Sequence, residues 1–102
     1  MKGFLMKFSP NRFVGWQQRY IILKDRKLKY YKSDSPENMK IPLGIINFDH
    51  FKCTCKIMDD QKNVQFKIEI EGVKDRNFIF KAQTSVECAD WQTEIHRHIQ
   101  NS

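Results

Sequence analysis

Gly15-Trp16-Gln17-Gln18-Arg19-Tyr20-Ile21-Ile22-Leu23 is the stretch from which the rest of the chain is read. At a period of two, Arg19, Ile21 and Leu23 share one face of a strand, and Gln18, Tyr20 and Ile22 share the other. This is the pattern of a strand packed on both sides of its middle. A cation therefore rides the same face as a core, which is tolerated where the interior opens to water or where an anion meets the charge. Arg19 stands near the start of the strand. Upstream, Lys2-Gly3-Phe4-Leu5-Met6-Lys7 repeats the arrangement in mirror order, with Leu5 and then Lys7 in phase and Lys7 at the exit. Two antiparallel strands joined by the loop from Phe8 to Gly15 would bring Lys7 and Arg19 to one open rim. We read that rim as an anion pocket.

Downstream, Asp25-Arg26-Lys27 is a polar turn and Leu28-Lys29-Tyr30-Tyr31-Lys32 a third strand, with Leu28 and Tyr30 on one face. Residues 33–42 hold Pro36, Pro42 and several turn formers, so they read as a loop. Gly44-Ile45-Ile46-Asn47-Phe48 is a short fourth strand. In the fifth, Phe51, Cys53, Cys55 and Ile57 alternate with Lys52, Thr54, Lys56 and Met58. After the turn at residues 59–63, Val64, Phe66, Ile68 and Ile70 alternate with polar residues. The chain then returns with Phe78, Phe80 and Ala82 in register.

The last segment changes period. Thr84-Ser85-Val86-Glu87 has the form of a capping box, and Cys88, Trp91, Ile95 and Ile99 recur at helical spacing, so a helix is expected over about 85–100. About seven strands (2–82) followed by one helix predict a mainly β fold. It would be a strongly bent antiparallel sheet or partly open barrel, plugged at one end by the helix through Trp91. The other end would stay open where Lys7 and Arg19 emerge.

A chain of 102 residues makes one domain, 1–102, with one core. No apolar run approaches the roughly 20 residues that cross a bilayer. Phe4-Leu5-Met6 is too short for the apolar centre of a signal peptide, so a cytoplasmic setting is expected. The net charge is +6, yet residues 1–33 hold nine Lys/Arg against one acid, Asp25, which leaves the remainder net acidic. Such a basic half attracts phosphates on lipids, nucleic acid or acidic peptides. Cys53, Cys55 and Cys88 read as reduced, buried thiols. His96 and His98, two apart on a helix, face different ways, so no metal or other cofactor is expected.

At this point the chain resembles a pleckstrin homology (PH) domain over nearly its whole length. The resemblance is carried by Lys2 to Lys7, Gly15 to Leu23, Leu28-Lys29-Tyr30-Tyr31, Gly44-Ile45-Ile46, Phe78-Ile79-Phe80 and the single Trp91 of the closing helix. The family's phosphoinositide motif is a Lys, a variable loop, then Lys/Arg-x-Arg on the second strand. Lys7 matches the first position and Arg19 the last, and Gln17 stands where the middle base would be. The resemblance implies that Lys7 and Arg19 grip headgroup phosphates and that Tyr30 adds a hydroxyl. With one base fewer, a monophosphate suits the site better. Within the family, Gly-Trp-Gln-x-Arg and Leu-x-Tyr-Tyr are similar to the PH domains of ceramide-transfer and oxysterol-binding proteins, which implies phosphatidylinositol 4-phosphate at Golgi membranes. Phe8 stands where those domains carry tryptophan. The second half is similar to the PH domain of protein kinase B, which places Arg76 near the headgroup.

Beside this core site, Arg12, Phe13 and Val14 at the loop tip read as a wedge entering the membrane interface, or Phe13 folds back on Trp16. Lys32 and Lys40 read first as solvated surface and second as the pocket's far wall. Lys24, Arg26, Lys27 and Lys29 read as a diffuse basic face that adds affinity without selecting the lipid. The function expected is a peripheral membrane-targeting module, at Golgi or plasma membrane, whose partner is a phosphoinositide in an anionic bilayer. The alternative is a protein interaction module of the same fold. Nucleic acid is set aside because Phe66, Phe78 and Phe80 fall in the buried phase, where an RNA reader would expose aromatics. Catalysis is set aside because no paired carboxylates, base-activated nucleophile or glycine-rich phosphate loop occurs. A monomer is expected, excised from a longer protein.

Overall fold

A computed structural model describes residues 1–9, 14–59, 61–73 and 76–100. Alternation of apolar and polar residues produces β1 (Lys2–Phe8), β2 (Trp16–Lys24), β3 (Lys27–Tyr31), β4 (Gly44–Asn47), β5 (Cys53–Ile57), β6 (Gln65–Ile70) and β7 (Asn77–Lys81). The change to helical period produces α1 (Ser85–Gln100). The strands form one seven-stranded sheet in the order β4-β3-β2-β1-β7-β6-β5, with every neighbouring pair antiparallel. β4 and β5 are its two edges, so the sheet bends without closing. The mainly β architecture with one closing helix is the one expected.

Antiparallel pairing sorts the connections by end. β1, β3 and β6 finish where β2, β4 and β7 start, so the β1–β2, β3–β4 and β6–β7 connections share one end of the sheet. The β2–β3 turn lies at the opposite end. There Lys24 pairs with Lys27, and Asp25 and Arg26 make a two-residue hairpin turn with φ of 53° and 62°. Both residues are left-handed, as a turn matched to the strand twist demands. No glycine eases it. The Arg26 amide donates to His98 Nδ1 at 3.0 Å, and its guanidinium pairs with Asp49 at 3.0 Å, so contacts from α1 and the β4–β5 connection hold the strained turn in place.

The core joins Leu5, Ile21, Leu23 and Leu28 from one half of the sheet to Phe66, Ile68 and Phe80 from the other, closed by Cys88, Trp91 and Ile95 of α1. Thr84 caps the helix by accepting the Glu87 amide at 3.1 Å. α1 packs against β5 and β6, Trp91 reaches Gly3 of β1, and Gln92 donates to the Cys55 carbonyl at 3.1 Å, covering the β5 edge. The three cysteines are buried, as expected, and no disulfide joins them. Burial, followed by the nearness of Cys88, pushes the Cys55 thiol up to about 12, and burial raises Cys53.

Three residues depart from the alternation. Phe51 is 49% exposed because β5 starts only at Cys53, and Ile57, at the strand's far end, is also exposed. Tyr31 lies on the face opposite Leu28, yet it is buried. On that outer face the register lines up Phe4, Tyr20 and Tyr31 across three strands, with Phe4 and Tyr20 in edge contact at 4.9 Å.

Candidate functional site

Strand register builds the site. Lys7 of β1 lies directly across from Gln17 of β2, and Arg19 follows two residues on, on the same side of β2. Arg19 Nη2 donates to Gln17 Oε1 at 2.7 Å and Nη1 to the Gln18 carbonyl at 2.8 Å. Gln17, which stands in the position of a motif base, is thus a neutral acceptor across from Lys7 that fixes the Arg19 guanidinium.

The Lys7 ammonium lies 5.0 Å from the centre of the Tyr30 ring and 5.6 Å from that of Phe78, and the two rings are 6.4 Å apart. Arg76 places its guanidinium 5.7 Å from the same Phe78 ring. Negative aromatic faces are suited to hold cations at such distances. Tyr30 in turn rests its hydroxyl against the Gly44 backbone, where a side chain on residue 44 would collide with the ring. Burial, and next the charge of Arg19, hold the Lys7 ammonium below the ordinary lysine range. Among the described residues no ion pair joins an acid to Lys7, Arg19 or Arg76.

The structure therefore brings Lys7, Gln17, Arg19, Tyr30 and Arg76 to one mouth. Lys32 and Lys40 are exposed on the β3–β4 connection at the same end, lining a shallow hollow with Glu37, Asn38, Ile41 and Leu43. Of the expected wedge, Val14 is exposed at that end, and Arg12 and Phe13 lie outside the described residues. The face of Trp16 is engaged by Phe8 at 5.2 Å and by the Lys81 ammonium at 4.3 Å. Lys24, Arg26 and Lys27 sit at the β2–β3 turn, away from the mouth, which divides the basic face read from the sequence. Phe78 was missed as a site residue. Its phase with Phe80 and its place at the start of β7 were the signals that could have found it.

Such a fold, with unopposed cations on aromatic platforms at one open end, defines a small β-module suited to receive an anion. The PH domain family model matches residues 1–100, and the chain belongs to that family. The human protein Pleckstrin homology domain-containing family A member 6 is 31% identical over 91 residues, a match covering 87% of this chain. The chain spans 8% of that relative's length. Among solved structures, the PH domain of human oxysterol binding protein-related protein 11 is 19% identical, with 99% of this chain and 80% of that one covered and a TM-score of 0.81. The C-terminal PH domain of pleckstrin in complex with D-myo-Ins(1,2,3,4,5)P5 is 25% identical, with 96% and 95% covered and a TM-score of 0.75.

Proposed function

We propose that this domain is a phosphoinositide-binding module that targets a longer protein to an anionic membrane, with headgroup phosphates held by Lys7 and Arg19. One observation carries the reading: two cations are gathered in one mouth, one with its pKa lowered by burial and by the other's charge, and no described acid answers them. A phosphate returns the energy spent on desolvation and repulsion, and the arginine fork suits two of its oxygens. The complex of the pleckstrin domain with an inositol polyphosphate supports the ligand class. Gln17 in place of a third base favours a headgroup with few phosphates, such as phosphatidylinositol 4-phosphate. Attachment is peripheral. Among the described residues no helix is long and apolar enough to cross a membrane. Binding without catalysis is the role proposed.

Arg19→Glu tests the reading. Vesicle binding is expected to fall by more than tenfold, while stability changes by no more than about 1 kcal/mol, the scale of the hydrogen bonds to Gln17 and the Gln18 carbonyl that half-buried Arg19 would lose. A panel of phosphoinositide vesicles at two salt concentrations then separates the pocket from diffuse attraction, since part-buried charge pairs are screened much less than exposed ones and a preference among headgroups should outlast the diffuse component. Soluble inositol phosphate that moves no amide resonance of Lys7, Arg19 or Tyr30 would replace this reading with a protein interaction module.

A further inference from the structure

The β3–β4 connection presents the most water-exposed large apolar side chain of the described residues. Ile41 is 78% exposed, and Leu43, two residues on, is 53% exposed. The exposure is built in, because the loop is ordered by its own bonds. Asn38 donates to Ser33 Oγ at 2.8 Å and to Ser35 Oγ at 3.2 Å, Met39 donates to the Ser35 carbonyl at 3.0 Å, and the Leu43 amide donates to the Tyr30 carbonyl at 2.8 Å. A loop so fixed displays Ile41 and Leu43 at the same end of the sheet as Lys7 and Arg19, in one hollow with Lys32, Lys40 and a single acid, Glu37.

We infer that Ile41 and Leu43 form a membrane anchor that enters the headgroup–acyl boundary of an anionic bilayer while its phosphates occupy the mouth. The inference rests on the headgroup reading of that mouth and extends it to a second loop. Charge and position select the occupant. Exposed apolar side chains beside two bases and one acid, a net positive hollow next to the cationic mouth, suit a surface with anionic headgroups above an apolar layer, and burial there is shallow. One flat partner can meet the loop and the mouth together.

The test uses Ile41→Ser/Leu43→Ser on phosphatidylcholine vesicles doped with phosphatidylinositol 4-phosphate, beside a titration with soluble inositol phosphate. The variant is expected to lose about tenfold or more in vesicle affinity, the scale of re-exposing part of two such side chains, with the soluble titration unchanged. Ile41→Cys carrying a polarity-sensitive dye is expected to shift to the blue on vesicles, and the buried native thiols leave residue 41 as the labelled position. Vesicle binding equal to wild type, or a dye that stays in water on bound protein, overturns the anchor and leaves the mouth reading intact. Vesicle affinity lost by the variant, with no response of the wild type to soluble headgroup, keeps the anchor and removes the headgroup reading. Unchanged vesicle affinity with loss of a dimer in ultracentrifugation overturns the anchor in favour of a second copy.

Discussion

At the scale of single residues, Lys7 carries the clearest tension between stability and function. Its folded pKa lies below the ordinary lysine value, so the charged form is penalised by folding. That penalty is present in full below the folded pKa and disappears as pH rises past the unfolded value, so the free domain gains stability through that alkaline window. Lys7→Met, which keeps the contact with Tyr30 and Phe78 through a polarisable thioether, is expected to unfold at equal or slightly higher denaturant at neutral pH, by less than about 1 kcal/mol. Its vesicle binding should nevertheless fall. In the wild type, headgroup affinity should decline with rising pH earlier than an ordinary lysine would dictate. Gln17 invites the opposite change. Gln17→Arg adds a base across from Lys7 and removes the acceptor that holds Arg19. Binding to bisphosphate vesicles should strengthen and its salt dependence steepen, as a titration at two ionic strengths would show. The parity of Lys7 with Leu5 and of Arg19 with Ile21 was legible in the sequence. The bond from Arg19 to Gln17 was not, because period-two alternation places two residues on a face without saying which way a side chain turns.

At the scale of elements, α1 was legible almost to the residue, since Thr84 caps it and Cys88, Trp91 and Ile95 mark its buried stripe. β4 was legible as a strand but not in its use. Gly44 lies across from Tyr30 on an edge strand, and the aromatic ring covers the bare backbone there. That packing aligns the ring on which the Lys7 ammonium sits. Gly44→Ala would drive a methyl group into the Tyr30 ring and hydroxyl. Displacing the ring or the edge strand should cost about 1–3 kcal/mol, as overpacking does, read by chemical denaturation. The Lys7 and Tyr30 resonances should move with it. If stability were unchanged and those resonances still, the ring would not be seated on Gly44. The β2–β3 turn is a matching case of hidden context. Asp25 and Arg26 adopt left-handed backbone without glycine because His98 and Asp49 hold Arg26 from elements distant in sequence.

At the scale of the whole molecule, the basic half of the sequence is divided by the fold. Composition shows one cationic block over residues 1–33, but antiparallel strands carry alternate turns of that block to opposite ends. Lys32 and Lys40 stand in a hollow at the same end as the mouth, whereas Lys24 and Lys27 pair at the far turn. Along β2, the eight steps from Trp16 to Lys24 amount to about 26 Å at the usual strand rise, against a screening length of about 8 Å at physiological salt. The molecule itself measures 32 × 32 × 27 Å, so a membrane seated on the mouth is screened from the distal turn. Lys24→Glu/Lys27→Glu should therefore keep vesicle affinity within about twofold at physiological salt. Lys32→Glu/Lys40→Glu should lose at least about tenfold, since each base near an anionic leaflet contributes on the order of 1 kcal/mol and reversal replaces attraction with repulsion. Both variants change the net charge equally, so net charge cannot explain a difference between them. Lowering the salt should narrow the gap, because the longer screening length lets the bilayer feel the distal turn. Equal losses in the two variants at physiological salt would mean that total charge, and not a mouth oriented toward the bilayer, governs attachment.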